Sequence, residues 1–370
     1  MIKMKFWEIS FLSTTLLLIL GLTAFSQELN KDYTGSITQY NSNFTGIGPK
    51  VYFLPPPKSK TEQLIELYES NDRKDFAKKI IAELRYNMLL QELKNLKDNG
   101  PGQHLKIPTD TSAWQELIAR AKNQFDHVYT YSLLNAAGLA AVEQHLTDQG
   151  TAYLQEAITI AAKEKNQLDL PTLLHNLAAV QLYTKEYEKA ARTAQEILTR
   201  LNKSKNYSEQ ADAWMQFAMA NSGMKNYNVA EPNIIRKAIP LYNKAKNFEG
   251  KIIAWQQLAQ VYYEQNKYTQ AQWFLLQAQQ LAKNKNYTAD LAEIEYVLAS
   301  SKLLDNNINI AKKEFLTALI LARNEKNKHL ELAVLDKLGE VYITLKEYEE
   351  AENTYQDFSN LKAELKKDTD

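Results

Sequence analysis

Five alanines recur down this chain at Ala190, Ala230, Ala271, Ala311 and Ala351, separated by 40, 41, 40 and 40 residues. A second series, Asn166, Asn206, Asn247, Asn286 and Asn327, keeps the same period. It sits in lysine-rich phrases such as Lys203-Ser204-Lys205-Asn206-Tyr207 and Lys283-Asn284-Lys285-Asn286-Tyr287. Two independent markers sharing one period indicate a stacked array, in which each unit covers the apolar face its neighbour exposes. Within one unit, Trp255, Leu258, Ala259 and Tyr262 are three and four apart, as one helical face requires. Asn266-Lys267 interrupts the pattern, and Tyr268, Ala271, Leu275, Ala278 and Leu281 form a second helical face. The spacing therefore predicts two antiparallel helices joined by short turns. Ala271 falls where two helices cross closely, and a bulkier residue there would overpack at a cost of about 1–3 kcal/mol.

These residues resemble the tetratricopeptide repeat family. The matching positions are Trp255, Leu258-Ala259, Tyr262, Tyr268-Thr269-Gln270-Ala271, Leu275 and Ala278. In the last unit they are Leu335, Leu338-Gly339, Tyr342, Tyr348-Glu349-Glu350-Ala351 and Tyr355. Others match less fully, as at Leu174, Leu177-Ala178 and Tyr187-Glu188-Lys189-Ala190, and at Phe315, where Ile308 replaces the family tyrosine. The resemblance covers residues 131–370 in six units, near 131–170, 171–210, 211–251, 252–291, 292–331 and 332–370. It implies an all-α fold, a right-handed α-solenoid of antiparallel helix pairs, with the first helix of each pair lining a concave face. It also implies a scaffold or adaptor function. The period exceeds the family's usual length of about 34 residues, so longer helices are expected. Pro240 and the 41-residue spacing predict a kink or bulge in the second helix of the third unit.

The N-terminal third differs in kind. Residues 1–26 read as a signal peptide: Lys3 and Lys5 precede an apolar run from Phe11 to Leu22, and Ala24-Phe25-Ser26 offers a small-residue cleavage site. The expected location is therefore exported, periplasmic or secreted. Residues 27–60 read as irregular, with Val51-Tyr52-Phe53-Leu54 extended ahead of Pro55-Pro56-Pro57. This strip is expected to pack along the first helices or to lie in the groove. Residues 61–130 read as an N-terminal helical cap, covering the apolar end an array would otherwise expose.

Composition excludes much chemistry. There is no cysteine, hence no thiolate nucleophile and no Cys-based zinc site. Lys plus Arg and Asp plus Glu both number 44, which gives no argument for nucleic acid. No two of the five histidines lie three to five residues apart. We expect no catalytic residues, no cofactor, no metal and no membrane span once the leader is removed. The expected partner is a protein or peptide, bound by first-helix residues the core does not need. These are His175, Asn176, Tyr183, Met215, Met219, Gln256, Gln260, Tyr263 and Tyr296. Gln and Asn pair with peptide backbone, while Tyr and Met supply adaptable apolar contact. Gln216 and, in the last unit, Asp336, Lys337 and Glu340 project the same way. Some family members clamp a terminal carboxylate with Lys, Arg and Asn. Asn176 fits one such position, but the first helices around it lack the Lys or Arg partners. The alternative is a carbohydrate or small ligand stacked on Tyr183, Tyr263 and Tyr296.

Overall fold

The computed structural model describes residues 38–39, 52–53, 57–96, 111–123, 127–164 and 167–369. The signal-peptide reading, and most of the segment expected to be irregular, fall outside these residues. The chain divides into two compact units, 1–66 and 67–370. In the first, β1 (Thr38–Gln39) pairs antiparallel with β2 (Tyr52–Phe53), with Thr38 opposite Phe53. Tyr52 and Phe53 are thus extended, in line with the sequence expectation. Helix α1 (Lys60–Glu69) runs across the division. Among the described residues no helix is long and apolar enough to cross a membrane.

Among the described residues, every regular element of the second unit is a helix. It starts with α2 (Asn71–Glu92) and α3 (Thr111–Asn123). Six helix pairs follow. They are α4 (His127–Val142) with α5 (Thr147–Ala161), then α6 (Leu170–Tyr183) with α7 (Tyr187–Arg200). In the third, α8 (Tyr207–Gly223) faces a composite helix, α9 (Tyr227–Asn233) and α10 (Ile239–Ala245). The last three are α11 (Phe248–Glu264) with α12 (Tyr268–Lys285), α13 (Thr288–Leu304) with α14 (Ile308–Asn324), and α15 (Lys328–Leu345) with α16 (Tyr348–Thr369). First helices touch one another in sequence from α6 through α8, α11 and α13 to α15. The five marker alanines are all buried to 1 % exposure or less, at the crossings the spacing indicates.

The asparagine series has two structural meanings. Asn206, Asn247 and Asn327 are N-caps whose side chains accept from the backbone N–H of Glu209, Gly250 and Leu330. Asn286 sits one position earlier in the turn, at φ 58°, and ends α12 in the left-handed conformation. The phrase that closes one pair thus caps the next helix, so pairs begin one to four residues ahead of the expected boundaries.

Left-handed residues punctuate the array at His145, Lys185, Lys225, Lys246, Asn266, Asn286, Asn306, Lys326 and Lys346. At Lys185 the two bonds of a Schellman ending form: its N–H donates to Leu182 O, and that of Glu186 to Gln181 O at 2.8 Å. Lysine carries a penalty of about 1–2 kcal/mol in this conformation that glycine escapes, against an entropy cost of about 0.5–1 kcal/mol for glycine. Lys185→Gly should therefore raise stability by about 0.5–1 kcal/mol in thermal melts. A lower melting temperature would contradict the turn geometry.

The third pair holds the irregularity expected of its sequence. Between α9 and α10, residues Ile234–Ala238 form a π-turn, directly ahead of Pro240. Proline cannot donate to the preceding turn, and the wider turn absorbs the forty-first residue. Downstream pairs keep their register.

The N-terminal helices do not form one cap. Helix α3 covers the first pair: Trp114, Ile118 and Ala121 share a core with Tyr131, Leu134 and Ala137. Helix α2 instead packs on α15 and α6, the first helices of the last and second pairs. At 22 residues it is about 33 Å long, enough to bridge them.

Candidate protein-interaction surface

The first helices present one residue each at a common register: Asn135, Asn176, Gln216, Gln256, Tyr296 and Asp336. Successive members are 41, 40, 40, 40 and 40 residues apart. Asn135, Asn176, Gln216 and Asp336 are buried, whereas Gln256 and Tyr296 are half-buried. Buried polar groups need partners. At the two ends of this row the chain's own residues 68–96 supply them.

At the acidic end, Arg73 reaches from α2 to α15. Its Nη1 donates to Asp336 Oδ1 at 2.7 Å, its Nη2 to Glu340 Oε1 at 2.6 Å, and its Nε to the Tyr68 carbonyl at 2.9 Å. Lys337 Nζ donates to the second oxygen of Glu340 at 2.7 Å. Burial raises the Asp336 carboxyl above its ordinary range, against the pull of Arg73. Burial would raise Glu340 too, but Lys337 and Arg73 hold it below. The Tyr68 hydroxyl fills the space over Gly339, where an added Cβ would lie 1.9 Å away. Glycine at this helical position is what lets the phenol approach. Phe76 packs edge-on against Phe358, with Lys362 Nζ 3.7 Å from its ring.

At the amide end, α2 gives way to extended backbone at Leu93. Asn176 pairs with that backbone on both sides: Lys94 N–H donates to Oδ1 at 2.8 Å, and Nδ2 donates to Lys94 O at 2.7 Å and to Asn135 Oδ1 at 2.9 Å. Gln216 Nε2 donates to Glu92 Oε1 at 3.0 Å and to the His175 carbonyl at 3.1 Å. Lys94 Nζ bonds Asp212, which also accepts from the Tyr242 hydroxyl. Burial, and then the Lys94 charge, depress His175 to about 4, so its ring is neutral near pH 7. Tyr86 donates to the Val142 carbonyl at 2.7 Å and stacks on His145. Tyr86, Leu89, Leu90 and Leu93 share a core with Leu139, Leu177 and Val180.

The sequence-predicted site residues divide accordingly. Asn176 and His175 lie under residues 92–94, and Tyr183 packs 6.0 Å from Tyr86. Met215 belongs to the core of the third pair, packed with Ala211, Ala218 and Ile234, and is not a surface contact. Met219, Gln256, Gln260, Tyr263 and Tyr296 are half-buried between the two ends. Burial raises the Tyr296 hydroxyl, as do the nearby Asp336 and Tyr263, so the middle of the row runs on to the acidic end. Sequence reading missed Asn135, which the 40-residue register would have found. It also missed Arg73, which carries no local signal. Among the described residues no group of three or more His, Asp or Glu is placed to hold a metal ion. The row offers hydrogen-bond donors, acceptors, aromatic faces and one acidic end, a set suited to binding a polypeptide.

No family model matches the chain, and no curated protein matches it. Solved structures match its fold. The apo form of RapI aligns at TM-score 0.52 and 13 % identity over 77 % of this chain and 99 % of its own. Aspartyl phosphate phosphatase F from Bacillus subtilis aligns at 0.54 and 11 %, over 84 % and 96 %. A signal transduction ATPase with numerous domains from Pyrococcus horikoshii, which has a tetratricopeptide repeat sensor, aligns at 0.54 and 15 %, over 68 % and 40 %.

Proposed function

We propose that this tetratricopeptide-repeat-like helical solenoid is a non-enzymatic protein-interaction scaffold that holds a partner polypeptide along the polar row of its first helices. One observation carries the reading: the row already holds a polypeptide. The two-sided pairing of Asn176 with the Lys94 backbone uses no feature of the lysine side chain, so it suits any extended segment. The apolar contacts of Tyr86, Leu89 and Leu93 are those of a helix laid in a groove. The leader-like residues 1–26 support placement in a bacterial cell envelope, periplasmic or secreted.

The test is crosslinking mass spectrometry on the native envelope, comparing wild type with Gln256→Ala, Gln260→Ala and Tyr263→Ala combined. These residues are half-buried and lie between the occupied ends, so the array itself should stay folded. Partner recovery is expected to fall by about ten-fold, the loss of roughly 1.4 kcal/mol of contact. Unchanged recovery would remove the row from the partner's path.

A further inference from the structure

We propose that residues 68–96 are a removable occupant of the row, and that its acidic end selects a partner segment in which an arginine in the first turn of a helix follows, five residues on, an aromatic side chain lying before that helix. This rests on the reading of the row as a polypeptide-binding surface. The chemistry of the acidic end is specific. Asp336 is buried, and with Glu340 it presents two carboxylate oxygens that Arg73 meets with separate nitrogens at 2.7 and 2.6 Å. A planar guanidinium satisfies that fork, and a lysine ammonium does not. The space over Gly339 admits a ring hydroxyl, and Tyr68 enters it with the Arg73 guanidinium 4.9 Å from its own ring. Ring and cation are thus read together.

Three observations make the occupant removable. The anchor is a buried ion pair, which confers selectivity more than net stability, because desolvation offsets the Coulombic gain. The seat is also imperfect. His175 Nε2 and Gln216 Oε1 are buried without a hydrogen-bond partner among the described residues, beneath the end of α2. A partner that donates to Gln216 would bind there better than the chain's own segment does. Finally, α2 makes its polar side-chain contacts with the array towards its two ends, Arg73 on α15 at one and Tyr86 and Glu92 on α4 and α8 at the other.

The experiment uses the full chain. Arg73→Glu places a third carboxylate against Asp336 and Glu340 and should release the segment. A fluorescein-labelled synthetic peptide of residues 66–96 is then titrated by anisotropy. We expect it to bind Arg73→Glu at least about ten-fold more tightly than wild type, whose site is filled most of the time. The same peptide carrying Arg73→Ala should lose that binding. Equal, weak binding to both proteins overturns the proposal, even if the envelope partner is still captured through the middle of the row. Should Arg73→Glu fail to fold, hydrogen exchange of the wild type decides. Amides of α2 exchanging about ten-fold faster than those of α15 support a removable occupant. Exchange of both at one rate makes α2 a permanent brace and overturns it.

Discussion

Phe315→Ala will lower stability by about 3–5 kcal/mol, the cost of deleting a ring from a site that cannot collapse. Phe315 is fully buried on α14, on the same helical face as the buried Ala311, Ala318 and Ala322, with the Tyr296 ring 6.0 Å away. Its alanine neighbours have no side-chain length with which to fill the hole. In an array, stability is close to a sum of unit and nearest-neighbour terms, so the loss should concentrate in the fifth and sixth pairs. Urea unfolding measures the total, and hydrogen exchange its distribution. Protection should fall first in α13 to α16 and least in α4 to α7. A loss under about 1 kcal/mol would mean that the cavity is absent or repacked.

The second large effect is a pH dependence centred on His175. Its pKa is lowered from 6.5 to about 4 by burial and by the Lys94 charge, against the pull of Asp212. A base with a depressed pKa stays neutral in the fold while the unfolded chain takes up a proton. Its contribution is therefore present above pH 6.5 and is lost as pH falls towards 4. The span of about 2.5 pH units corresponds to about 3 kcal/mol. The difference between wild type and His175→Gln isolates the histidine. Denaturant melts at pH 7.5 and 4.5 should show wild type losing about 3 kcal/mol more than the variant. Parallel slopes would place His175 in contact with water.

The solenoid was legible because its period is written in residues that packing forces. Ala271 cannot be large, nor Leu275 charged, without breaking a crossing, so a small residue recurs at the first register and a bulky apolar or aromatic one at the second. The bulge before Pro240 was legible for the same reason, since proline and an extra residue leave few local solutions. The candidate surface was legible only in part. Asn176, Gln256 and Tyr296 stood out as first-helix residues the core did not need. Met215 did not separate from the core, because a methionine at helical spacing serves either face. The role of α2 could not be read, since its amphipathic pattern demands a cover without saying which. Arg73 finds Asp336 across 263 residues, and no periodicity spans that distance.

That separation also orders events during synthesis. Asp336 is made 263 residues after Arg73, which at about 5–20 residues per second is tens of seconds. Throughout that interval the nascent helix exists without its acceptor. Each helix pair can settle on the one before it, and the far end of α2 can seat on the second and third pairs, while its Arg73 end must wait until the last pair is complete. For those tens of seconds the arginine–aromatic end of the segment is open to any chaperone that meets it.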